Sequence, residues 1–146
     1  LGDEMQAQID NCHDKGIPLT HCDGHHHVHT ELAIFSGIVP VLKRNGIRYV
    51  RKSKNLGITS PLKKLYKVGF NRLIKLVGLK TTDYFTGFEE YLDSGDKILA
   101  TESMLELMVH PGLIKGSELV DTALKEPLEG MLTAVIDNNK IVPYPG

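Results

Sequence analysis

Ile17-Pro18-Leu19-Thr20-His21-Cys22-Asp23-Gly24-His25-His26-His27-Val28-His29 opens as a short extended run, and Asp23-Gly24 is a pair that breaks strands. A histidine-rich segment follows. Five of the chain's seven histidines lie between positions 21 and 29. If the segment after Gly24 is extended, His25, His27 and His29 share one side and His26 faces the other. Polar residues placed directly after a strand are the mark of α/β proteins, whose chemistry gathers at the carboxyl ends of parallel strands.

Outward from this stretch, the pattern predicts alternating helices and strands. Asp3 to Lys15 reads as a helix with Met5, Ile9 and Cys12 on one stripe, ended by Gly16 in the position that favours a left-handed residue. Glu31 to Arg44 is a second helix, with Leu32, Phe35, Val39 and Leu42 inward and Pro40 as a kink or a shortened end. Ile47 to Arg51 is a strand. Pro61 to Val77 is an amphipathic helix whose apolar side is Leu62, Leu65, Tyr66, Leu73, Leu76 and Val77, with lysines and Arg72 on a solvated face. Thr82 to Phe85 is a short strand and Phe88 to Leu92 a helix. Met104 to His110 alternates most clearly and is stopped by Pro111-Gly112. Pro127 to Ile136 is a helix, and Ile141 to Tyr144 a last extended piece. Strands alternating with helices imply βαβ units, a mostly parallel sheet and an α/β fold class over residues 1–146 as a single unit.

Composition narrows the function. A net charge of −1 over 146 residues, 24% charged and 41% hydrophobic, fits a globular chain and gives no electrostatic case for nucleic acid. No apolar run reaches the ~20 residues that cross a bilayer, so no membrane partner is expected. The first residues are polar, unlike a signal peptide, and without an initiator Met they read as a cut. Two cysteines are too few for a disulfide scaffold, and a reducing, cytoplasmic setting follows.

The chemistry-bearing residues fall at strand ends. Neutral imidazole is a leading ligand for divalent metals, and Asp23 could bind metal or orient an imidazole from behind. Spacing alone does not say which histidine ligates, and a solvated polar loop is the bland alternative. His110, rigidly aimed by Pro111-Gly112, could act as a general acid or bind substrate, or be a hydrogen-bonded structural residue. Arg51 could pair a carboxylate in the site or a substrate oxygen, or form an ordinary surface ion pair. Glu106 reads as a supporting carboxylate. Cys22 reads as a small apolar residue.

Taken together, two segments carry a resemblance. Thr20 to His29 resembles the Thr-His-x-Asp-(Ser/Gly)-His-x-His-x-His signature of YdjC-like carbohydrate deacetylases, and Glu106-Leu107-Met108-Val109-His110-Pro111-Gly112 resembles their later Glu-Leu-Met-x-His-Pro-Gly signature. Arg51, the Thr82 to Gly87 segment, and Gln8-Ile9-Asp10 with Gly16 and Pro18 fit as well. The resemblance implies part of a distorted (β/α) barrel of the polysaccharide-deacetylase-like type. It implies hydrolysis of the N-acetyl group of an amino sugar such as a chitooligosaccharide. It implies a divalent metal, taken as Mg²⁺ with Zn²⁺ as the alternative, with His25 as its ligand in this signature. His110 would then be catalytic, the acid for the leaving amine. Asp23, His27, His29, Arg51 and Glu106 would bind substrate or support the metal. The metal would polarise the acetyl carbonyl and activate a water.

The family pattern also begins with an Asn-x-Asp-Asp-x-Gly motif and adds a further ligand histidine, neither of which stands in this sequence. The chain is therefore expected to be a partial barrel, weak or inactive alone, with open edges and apolar surface that invite association with further copies. The alternative is a metal- or carbohydrate-binding module without turnover. A different metallohydrolase on a similar barrel would need further Asp and His ligands, and Asp83, Asp93, Asp96, Asp121 and Asp137 show no such arrangement.

Overall fold

A computed structural model describes residues 1–57, 60–99, 103–114, 118–138 and 141–144. In chain order the elements are α1 (Gly2–Asp14), β1 (His21–Cys22), a 3₁₀ turn (His25–Thr30), α2 (Leu32–Arg44), β2 (Tyr49–Val50), α3 (Pro61–Leu76), β3 (Tyr84–Gly87), α4 (Phe88–Leu99), β4 (Leu105–Met108), β5 (Pro111–Ile114), β6 (Glu118–Asp121), β7 (Glu126–Pro127) and α5 (Leu128–Asn138). Among the described residues no helix is long and apolar enough to cross a membrane.

The helices form where the sequence directs them. α1 ends with Gly16 at φ +68°, as its position predicts. α2 keeps Pro40 inside its span. α3 opens at Ser60, whose hydroxyl caps the Lys63 amide, with Pro61 in the first turn. The buried faces differ in part from the pattern. α2 buries Phe35, Ile38, Val41 and Leu42, while Leu32 faces solvent. α3 buries Phe70 and Ile74, whereas Leu62, Leu65 and Leu76 are exposed. Phe70 takes that role by meeting Phe35 edge-on, ring centroids 4.9 Å apart. The main core joins Ile9, Phe35, Ile38, Val41, Leu42, Ile47, Val50, Phe70, Ile74 and Leu79, so it rests wholly on α1, α2, β2, α3 and the turns after them.

Among the described residues, three small sheets stand where a single parallel sheet is expected. β1 pairs with β2 in parallel, and β3 pairs with β4 in parallel. No closed barrel forms among the described residues. Between the two parallel pairs stand a one-residue bridge, Tyr49 to Lys80, and side chains doing the work of a ladder. The Lys52 ammonium and the Asn55 amide both donate to the Asp83 carbonyl, and the Asn55 side-chain oxygen accepts from the Phe85 amide.

The third sheet, β5-β6-β7, is antiparallel. β4 does end before Pro111-Gly112, as expected, and the same pair opens a new strand, the first of a hairpin. Its cause is the connection of only three residues between Ile114 and Glu118: a hairpin can be that short, whereas a parallel crossover needs about a dozen residues or more. Gly112 is required by close approach, since a Cβ there would lie 2.3 Å from the Thr122 methyl. Ile141 to Tyr144 lies in no strand.

Candidate functional site

The parallel register His21↔Tyr49 and Cys22↔Val50 puts Asp23 and Arg51 side by side, each the first residue past its strand. The Arg51 amide donates to the Cys22 carbonyl at 3.1 Å. From there the guanidinium reaches two carboxylates: Nη1 lies 2.7 Å from Oδ2 of Asp23 and Nε lies 2.8 Å from Oε1 of Glu106. Its central carbon sits 4.5 Å from the centroid of the Phe85 ring, and Phe85 and Glu106 are register partners in β3 and β4. Arg51 thus joins Lys52 and Asn55 as a polar link between the two parallel pairs. Its side chain and that of Glu106 are largely buried, which makes the pairing strong and directional rather than a solvated surface contact.

The histidine segment is not extended. It winds as a 3₁₀ turn in which His26 (φ 50°) and His27 (φ 59°) are both left-handed. Non-glycine residues rarely take that conformation, and two in succession must be held by their surroundings. The surroundings are visible. The His27 amide donates to the Gly24 carbonyl at 2.8 Å. The Gly24 amide donates to Nδ1 of His29 at 2.9 Å. Because Nδ1 accepts, the proton of the neutral ring is on Nε2, which donates to the Arg51 carbonyl at 2.9 Å. A two-residue β2 offers no ladder for a longer strand, and backbone groups instead close onto the His29 ring.

The histidines consequently leave the loop in different directions, and the predicted alternation fails. His29 is buried, 1% exposed, with both ring nitrogens occupied by backbone. Burial lowers its pKa, and the Arg51 carbonyl and Asp23 only partly oppose this. His27 turns its ring edge toward Phe85, 5.8 Å between centroids. Burial first, then the Arg51 charge, lower its pKa, and it also feels Asp23, His29 and His110. His27, Asp23, Arg51 and His110 therefore share one electrostatic neighbourhood. His25 is exposed, its ring 4.1 Å from that of His26. His21 is exposed and stacks on Tyr144 at 4.3 Å. Burial and Asp23 push the Cys22 thiol up to about 11, which disfavours the thiolate at neutral pH.

His110 follows β4 and is 46% exposed, the most accessible group of this neighbourhood. Behind it lies Asp121, 1% exposed. Oδ2 of Asp121 accepts from the His110 amide at 2.8 Å and lies 4.0 Å from its Nδ1. Oδ1 accepts from the Ala123 and Leu124 amides. Burial would raise this carboxyl's pKa, but the His110, Leu124 and Ala123 amides outweigh it and bring it down. An ionised carboxylate is thus fixed against the backbone of an accessible imidazole. Asp121 was read from sequence only as an unmatched acid. The three-residue, glycine-containing connection before Glu118 was the signal for the hairpin that brings it there. Tyr144 is a second unread member of the site.

The donors present test the expected metal. Among the described residues no three His, Cys, Asp or Glu side chains are grouped to hold an ion. His29 is committed to backbone, Asp23 to Arg51, and His25 has one histidine neighbour, so the described residues do not complete a metal centre. A separate cleft, lined by Lys54, Asn55, Lys64, Lys67 and Asn71 among others, contains none of the predicted site residues.

A family model described as YdjC-like protein matches residues 1–135. A carbohydrate deacetylase of Halalkalibacterium halodurans is 29% identical over 135 residues, covering 84% of this chain and 50% of that protein. The chain spans about half the length of the curated relative it matches. No solved structure matches.

Proposed function

Because the chain belongs to the YdjC-like family, we propose that its site is the acid–base and anchoring part of a carbohydrate N-deacetylase, which hydrolyses the N-acetyl group of an amino sugar such as a chitooligosaccharide. The observation that carries this reading is the convergence of Asp23 and Glu106 on Arg51, with His27 and Arg51 both against the Phe85 ring and His110 just past β4, the strand that carries Glu106.

In this reading Arg51 is the frame. It pairs with both Asp23 and Glu106 and links the two strand pairs, so the groups around it keep a fixed geometry toward a sugar. His110 is the accessible proton carrier. Amide hydrolysis needs a proton delivered to the departing amine, and an imidazole that is exposed on one side and anchored on the other suits that task. Asp121 steadies the Nδ1 side and leaves Nε2 toward substrate. His27, neutral because its pKa is lowered, is able to accept a proton or a hydrogen bond from a substrate hydroxyl. His29 binds nothing external and shapes the loop.

Dependence on a divalent metal, Mg²⁺ or Zn²⁺, is part of the proposal. His25 would be this chain's ligand, and the other donors would come from outside the described residues. A cytoplasmic setting and self-association through the exposed apolar residues of α3 are part of it too. The incomplete ligand set specifically favours one alternative, a carbohydrate- or metal-binding unit without turnover.

The test is release of acetate from N-acetylated chitooligosaccharides, with added Mg²⁺ or Zn²⁺ and with chelator, together with calorimetric metal titration of the chain and of His25→Ala. Acetate release that chelator stops and His110→Ala abolishes supports the deacetylase. Sugar or metal binding without acetate selects the binding unit. Absence of both removes the proposal.

A further inference from the structure

Two buried polar atoms in this site lack a hydrogen bond, the Tyr144 hydroxyl and Oε2 of Glu106. Both groups lie at the same place in the fold: Oε1 of Glu106 meets Nε of Arg51, the residue after β2, and the Tyr144 ring packs on His21 and Tyr49 of β1 and β2; a phenol pKa raised by burial first, and then by Glu106, agrees with this placement. One is a donor and the other an acceptor, and buried groups of this kind are nearly always paired.

The ring bearing that hydroxyl is held from two sides. It stacks on His21 at 4.3 Å with an interplanar angle of 21°, and it meets Tyr49 at 5.3 Å. His21 and Tyr49 are register partners in β1 and β2, so the ring lies against the very strand pair whose ends carry Asp23 and Arg51. The segment Ile141 to Tyr144 joins no sheet, and Tyr144 is its anchor.

We propose that Tyr144 is a positioning residue of the site, whose phenol donates a hydrogen bond to Oε2 of Glu106. Glu106 is then held at both oxygens, by Arg51 Nε at Oε1 and by Tyr144 at Oε2. A carboxylate gripped in this way serves as the anchor of Arg51, and the base that takes a proton from water is another group. The C-terminal segment thereby becomes part of the site's frame, through the chain Asp23–Arg51–Glu106–Tyr144. The inference assigns a role within the site described above, but the bond itself does not depend on turnover. The charged and titratable groups facing the phenol are Glu106 from β4, Arg51 after β2, Asp23 after β1, and His21 from β1.

Carbon NMR on the full chain, with the tyrosines labelled at Cζ, tests it. Loss of one signal in Tyr144→Phe identifies Tyr144. That signal is expected to titrate above the ordinary phenol value of about 10, and to move down in Glu106→Gln. A Tyr144 signal unmoved by Glu106→Gln overturns the proposal. Should Glu106→Gln not fold, the carboxyl carbon of Glu106 is followed in Tyr144→Phe. A displaced signal supports the bond, and an unchanged one overturns it. A chain that releases no acetate but shows the coupled titration loses the proposed activity and keeps this bond.

Discussion

Two histidines of this chain are anchored in opposite ways. His29 sits in the half of the molecule that owns the apolar core, and backbone groups hold both of its nitrogens. His110 sits at the mouth of a small antiparallel sheet that contributes Val120, with Leu128 of the adjoining α5, to the buried hydrophobics. One buried carboxylate, Asp121, organises its surroundings. The first arrangement freezes a ring and removes it from chemistry. The second fixes the backbone of a ring and leaves the ring itself available. Abundance of histidine is therefore a poor guide to which histidine acts, and the kind of anchor is a better one.

The largest test of this contrast is a core deletion on each side. Phe35→Ala should cost about 3–5 kcal/mol and unfold the α1–α3 unit. Leu128→Ala should open the β5–β7 sheet and leave amide protection at Phe70 and Ile74 intact. Hydrogen exchange separates the two, and equal loss of protection everywhere would show that the halves are one cooperative unit.

Next is the accessible ring itself. His110→Ala should lower acetate release by about 100-fold or more while the urea midpoint changes by no more than about 0.5 kcal/mol equivalent. A large stability loss instead would put His110 with His29 among the structural histidines.

Asp121→Asn comes third. It keeps the shape but turns an amide donor toward backbone donors, and should destabilise the hairpin by about 1–3 kcal/mol. Acetate release should fall roughly tenfold as the imidazole drifts. Unchanged kinetics would leave Asp121 as a hairpin fastener alone.

The smallest effect is a pH slope. His29 has a folded pKa below its unfolded value near ~6.5. Above that pH the ring is neutral in both states and stability is full. As pH falls below it, the unfolded chain takes up the proton first and stability declines. Urea midpoints at pH 7 and below 6 should show this decline, reduced in His29→Gln. His27, lowered in the same direction, keeps the slope from vanishing. A slope equal in both proteins would mean that His29 is not the buried neutral ring.

Part of this site is legible because Asp23, Arg51 and His110 stand at strand ends, where period-two patterns stop, while Glu106 reads from within its strand only as a supporting carboxylate. The parallel pairing is legible from a different signal, the alternation of strands with helices. What escaped has no periodicity to carry it. Asp121 acts on an amide eleven residues earlier in the chain, and Tyr144 reaches β1 and β2 from the far end of the sequence. The histidine run misled because alternation on paper assumes a strand. A two-residue β2 gives that strand no partner, and the His29 ring gives the backbone a better one. On α3 the pattern found an apolar side but not which part of it the core would reach.

The two left-handed residues at His26 and His27 have a consequence for the order of events. That backbone is disfavoured until Gly24, His29 and the end of β2 are all in place, so the loop cannot nucleate anything and must set after the helices have packed. By the same reasoning it is expected to open before α2 does. Exchange at the His27 amide, bonded to the Gly24 carbonyl, then reports the lifetime of the assembled site, while amides in α2 report that of the whole fold.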